Sequence, residues 1–116
     1  MSKPLPTIVV QGAIDILSDP KRWCRGEFAV NRWRQATSPW AEDATKFCAI
    51  GALRKAAYDL TQNEREARQL AHDIQYKIED RIQGPFRALW RVNDEDRHGR
   101  TAVLGLMKDY LASKKE

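Results

Sequence analysis

The chain has 116 residues, 42% of them hydrophobic and 31% charged, with 20 Lys and Arg against 16 Asp and Glu and a formal net charge of +4. This length carries one domain with a modest core and leaves no room for two, and the apolar share excludes wholesale disorder. No stretch approaches the roughly 20 consecutive apolar residues that span a bilayer, and the opening residues lack the apolar middle of a signal peptide, so a cytoplasmic protein with no membrane partner is expected.

Residues 1–6 carry Pro4 and Pro6 and no periodic pattern, so a flexible N-terminal arm is expected there. Thr7 can cap a first helix running to Ser18, in which Val10, Ala13, Ile14 and Leu17 recur at helical spacing. Pro20 stops that helix by disfavouring helical backbone at Asp19. From Lys21 to Trp40 aromatics are scattered among charges and neither period holds. Phe28 and Val30 alternate with Ala29 and Asn31 as in a strand, but no partner strand is evident. The segment therefore reads as an irregular tryptophan-rich connection, with Trp23 and Trp33 burying their rings over the next helix.

That second helix is expected from about Thr45 to Leu60, where Ala49, Ala52, Leu53, Ala56, Ala57 and Leu60 form an apolar stripe. Thr61-Gln62-Asn63-Glu64 matches a capping box, so a third helix starts there and continues to about Ile82. It turns Ala67, Leu70, Ala71, Ile74, Ile78 and Ile82 inward, and pairs Glu64 with Arg68 and Asp73 with Lys77 outward. Gly84-Pro85 breaks the pattern, Phe86 to Val92 permits two helical turns, and Asn93 to Arg100 reads as a polar loop. Thr101 can cap a last helix that buries Val103, Leu106 or Met107, Tyr110 and Leu111, with fraying at residues 114–116.

The elements Trp23-Cys24-Arg25-Gly26, Cys48-Ala49-Ile50-Gly51-Ala52-Leu53, Asn93-Asp94 and Gly99-Arg100-Thr101 occur in that order. Together they resemble a family of small bacterial and phage-associated proteins, a domain of unknown function, with Trp-x-x-Gly, Cys-Ala-x-Gly-Ala-Leu, Trp-Asn-Asp and Gly-Arg-Thr elements. The resemblance covers roughly Trp23 to Leu111. The chain departs from it in setting Trp90 three residues before Asn93 and in lengthening the following loop by Glu95-Asp96-Arg97-His98. The resemblance bears on the fold and implies no activity.

Cys48 enters an apolar helix among small neighbours that let another backbone or a tryptophan approach closely. A thiol in a helix's first turn feels the positive end of the dipole, so Cys48 with His98 as base and Asp94 or Asn93 orienting the imidazole would make a thiol-dependent hydrolase. The structural alternative is a buried thiol, which is the commoner state of cysteine. Cys24, Cys48, His72 and His98 match no zinc spacing, so no metal is expected. Arg25, Arg32 and Arg34 interleave with Trp23 and Trp33 as in single-stranded nucleic-acid binders, and Asn93, Asp94 and Arg100 form the best polar cluster.

The sequence thus implies an all-α fold, a single compact helical domain of four or five helices over residues 7–113. The favoured function is a small interaction or regulatory module without catalysis or cofactor, binding another protein through Arg25, Arg32, Arg34, Asn93, Asp94 and Arg100. The alternatives are the Cys48–His98 hydrolase and single-stranded nucleic-acid binding.

Overall fold

A computed structural model describes residues 5–114. Its elements in chain order are α1 (Leu5–Leu17), a 3-10 turn (Pro20–Arg22), β1 (Ala29–Val30), β2 (Lys46–Phe47), α2 (Ala49–Thr61), α3 (Glu64–Glu79), α4 (Leu89–Glu95) and α5 (Gly99–Ser113). The fold is predominantly α, five helices among the described residues with one small sheet, as the apolar periodicities predict. Leu5 and Pro6 are already helical, so α1 starts before Thr7. Proline suits a first helical turn because the N–H it lacks would have no intrahelical partner. The rest of the expected arm, residues 1–4, lies outside the described residues, as do residues 115–116 of the expected frayed end.

Helix α2 lies between α1 and α3, α4 packs beside α5, and α5 returns to α1. The interior is built from Val9, Val10, Ala13 and Leu17 of α1, Ala49, Ala52, Leu53 and Ala57 of α2, and Ala67, Ala71, Ile74 and Ile78 of α3. Leu89, Val103, Met107 and Tyr110 close it from the other side. Of the α2 stripe, only Leu60 is largely exposed, because the helix ends just beyond it and nothing covers that turn. The radius of gyration, 13.2 Å, agrees with about 13 Å for a compact chain of this size.

Several boundaries differ from the sequence reading, each for a local reason. The Phe28–Val30 alternation does find a partner: β1 pairs antiparallel with β2, Ala29 opposite Phe47 and Val30 opposite Lys46. Two-residue strands leave no period for a sequence window to detect, and β2 occupies residues that the sequence pattern places in α2. That helix starts after Cys48, whose sulfur accepts the Gly51 N–H at 3.3 Å and so acts as the cap. The cap of α3 is Asn63, accepting from the Glu66 N–H at 3.0 Å, while Thr61 still belongs to α2. The Glu64–Arg68 pair forms at 3.8 Å, but Asp73 accepts from Gln69.

The larger correction is at residues 93–100. Asn93, Asp94 and Glu95 are helical, and α5 begins at Gly99 with His98 at its cap position. Thr101 sits inside α5, its hydroxyl donating to the His98 carbonyl. Trp33, expected to be buried, is 64% exposed, whereas Trp23 packs on the core and Trp40 stacks on Tyr58 of α2.

Candidate functional site

The extended chain of β2 becomes helix within one residue of Phe47, and the surroundings of Cys48 follow from that change. Cys48 N–H donates to the Phe28 carbonyl at 3.2 Å, and Cys24 N–H donates to the Phe47 carbonyl at 3.1 Å. Three strands of chain therefore meet beside the start of α2. A Cβ on Gly51 would stand 1.7 Å from the Phe28 carbonyl oxygen, so the expected close backbone approach is present and the approaching backbone is that of Phe28, the residue before β1. Glycine in a helix costs about 1 kcal/mol relative to alanine; here the missing side chain is what allows the contact.

Asn93 joins this junction to the C-terminal half. Its Oδ1 accepts from the Trp23 indole N–H at 2.8 Å and the Ala49 N–H at 3.0 Å. Its Nδ2 donates to the Cys24 carbonyl at 3.0 Å and to Asp94 Oδ1 at 2.7 Å. The side chain is fully buried, and all of its polar atoms are used. Asp94 Oδ1 also accepts from the N–H of Gly26, which turns the chain at φ +84°, a region open chiefly to glycine. Arg25 lies over the Trp23 ring and donates to the carbonyls of Asn93 and Asp96. Arg100 donates to the Leu17 and Ser18 carbonyls, the negative end of α1, rather than to a carboxylate.

Beside this junction lies a recess of about 320 Å³ lined by Gly26, Glu27, Phe28, Cys48, Ile50, Trp90 and Asp94. Phe28 and Trp90 are 46% and 48% exposed at its edges. Asp94 presents a second carboxylate oxygen with no protein partner among the described residues. Cys48 is buried, and that burial pushes its thiol pKa up; the N–H groups of Gly51 and Ile50 oppose the shift, and Asp94 adds to it. Cys24, half-buried nearby, is pushed up to about 12, by burial first and by Cys48 second. Both are free thiols.

The sequence candidates are now distributed over three settings. Cys48 and Asp94 share the recess, but His98 is exposed at the cap of α5 and is not part of its lining. Asn93 is an interior joint, and Arg25 and Arg100 are tied to backbone carbonyls, so these three hold the fold together. Arg32 and Arg34 do stand on the surface, Arg32 over the Trp33 ring at 4.2 Å. Their loop is fixed by Asn31, whose side chain accepts from the N–H groups of Trp33 and Gln35 and donates to Gln35 and Asp43. His72 is exposed on α3 against Tyr76, and no group of three metal-ligating side chains converges among the described residues. Nothing in the sequence pattern marks Glu27, and the one local signal of Phe28 and Trp90 is that neither aromatic has a place in an apolar stripe.

No helix among the described residues is long and apolar enough to cross a membrane. Compared with known families, residues 1–112 match one described as a family of unknown function (DUF6197), and the chain belongs to it. No curated protein and no solved structure matches the chain.

Proposed function

We propose that this member of a family of unknown function works in a bacterial or phage cytoplasm as a protein-binding module. In this reading a lysine or arginine side chain of the partner enters the recess between Phe28 and Trp90. The supporting observation is the make-up of the recess: two half-exposed aromatic rings at the edges, apolar walls, and Glu27 and Asp94 as its charged lining. A long basic side chain matches all three, since its methylene stem covers apolar surface while its cation meets ring faces and carboxylates. Each ring contact contributes about 0.5–1 kcal/mol at exposed sites.

Thiol hydrolysis draws less support, because burial disfavours the Cys48 thiolate and no imidazole lines the recess. Single-stranded nucleic-acid binding keeps one specific observation in its favour, the outward Trp33 flanked by Arg32 and Arg34 on a braced loop.

The test is titration of the isotope-labelled chain with a glycine-flanked lysine peptide and its norleucine counterpart, following the Trp90 indole and Gly26 amide signals. The lysine peptide moves both, and E27Q with D94N weakens it about tenfold, the loss of roughly 1.4 kcal/mol of charge attraction. Equal binding of norleucine contradicts the proposal. Shifts confined to Trp33 on adding oligothymidylate select the second reading.

A further inference from the structure

A second cleft, of about 440 Å³, shares Phe28 with the recess and is lined also by Thr37, Ser38, Trp40, Arg54 and Arg68 among others. Arg54 comes from α2 and Arg68 from α3, so two packed helices direct guanidinium groups to one opening. Arg54 lies 4.4 Å over the Phe28 ring. Arg68 lies 5.6 Å over the Trp40 ring, which in turn stacks on Tyr58. Stacking fixes a guanidinium plane while leaving its N–H edge free to donate.

Neither cation has a close counterion among the described residues. Arg54 is half-buried yet makes no side-chain hydrogen bond or ion pair among the described residues. Arg68 reaches Glu64 only at 3.8 Å, with both side chains more than half exposed, a geometry that contributes little. Burial pushes the Arg54 pKa down, and the positive charge of Arg68 pushes it further. The acid bonded to this segment, Asp43, accepts from Thr37 and Asn31 and does not line the cleft.

Two like charges held together beside hydroxyl groups, countered among the described residues only by the exposed Glu64 carboxylate 3.8 Å from Arg68, are relieved by an anion that accepts from both. We infer that this cleft binds a phosphate monoester, its oxygens bridging Arg54 and Arg68 and its organic group lying against Trp40 or Phe28. A tetrahedral dianion has enough acceptors for two guanidinium forks and the Ser38 hydroxyl. The site shares Phe28 alone with the recess of the proposed function, and either reading stands without the other.

The experiment titrates the full chain with inorganic phosphate, phenyl phosphate and a phosphoserine pentapeptide, at ionic strength matched with potassium chloride. The readout is the arginine Nε–H signals. Saturable shifts of Arg54 and Arg68 are expected, with binding about tenfold weaker in R54Q and in R68Q and unchanged in R65Q. Because Arg68 is exposed, R68Q tests the site even if R54Q folds poorly. Preference for phenyl phosphate supports a small-molecule ester, and preference for the peptide supports a phosphorylated protein. Absence of saturable shifts, or equal shifts in R68Q, overturns the inference.

Discussion

Replacing Asn93 by alanine removes the one side chain that joins the N-terminal turn, the start of α2 and α4. The Trp23 indole N–H, the Ala49 N–H and the Cys24 carbonyl each lose a partner. A buried polar group left unsatisfied costs about 1–3 kcal/mol, so three of them, partly relieved by water entering the gap, give a loss of about 3–5 kcal/mol. Against a total stability of about 5–15 kcal/mol for a domain of this kind, that is a large fraction. It lowers Tm by about 10 °C or more. The assay is urea denaturation followed by far-ultraviolet circular dichroism, with N93D as a second variant. An aspartate keeps the acceptor for Trp23 and Ala49 but loses both donors and sets a second carboxylate beside Asp94. Its loss should therefore shrink as pH falls through the carboxylate range. An N93A loss below about 1 kcal/mol would refute the reasoning, because a surface asparagine behaves that way.

The two glycines G51A and G105A should move stability in opposite directions in the same denaturation assay. G51A drives a Cβ into the Phe28 carbonyl and loses about 3 kcal/mol, whereas G105A, with open space around its Cβ, gains up to about 1 kcal/mol of helix propensity. Cys48 should stay unlabelled by iodoacetamide in the native state near neutral pH and react once denaturant is added. The raised folded pKa of Cys24 sets a pH dependence: the unfolded thiol ionises near 9 and the folded one only at about 12. The folded state then binds more protons, so stability is full below pH 9 and declines between 9 and 12; thermal melts of C24A should show a shallower decline.

The helices were legible because their apolar stripes repeat at the helical period over two helical turns or more. α1, α2, α3 and α5 all carry such stripes, and α3 also carries the Glu64–Arg68 pair. What the sequence hid was geometry carried by single residues. Cys48 caps α2 through sulfur, which no capping pattern includes, and β1 and β2 are too short for alternation to register. Asn93 and Asp94 read as loop residues because polar side chains at a helix edge have no local signature of burial; their partners are Trp23, Cys24, Gly26 and Ala49, far away in the chain. Trp23, Cys24, Gly26, Ala49, Asn93, Asp94 and Gly99 lie in four short segments far apart in the sequence. These elements meet at Asn93, and even Gly99 is constrained there, since its Cβ would stand 2.4 Å from the Asn93 carbonyl oxygen. The recess was less legible, because Phe28 and Trp90 come to line one opening only once that joint is made.

Indole hydrogen exchange measured residue by residue bears most directly on that joint. If Asn93 locks Trp23 into the interior, the Trp23 Nε1–H exchanges only through global unfolding and its rate follows the denaturant dependence of the whole domain. The Trp33 Nε1–H, on a largely exposed ring, exchanges at nearly the rate of free indole. Equal, rapid exchange at both rings in a protein whose helices remain folded would contradict the account.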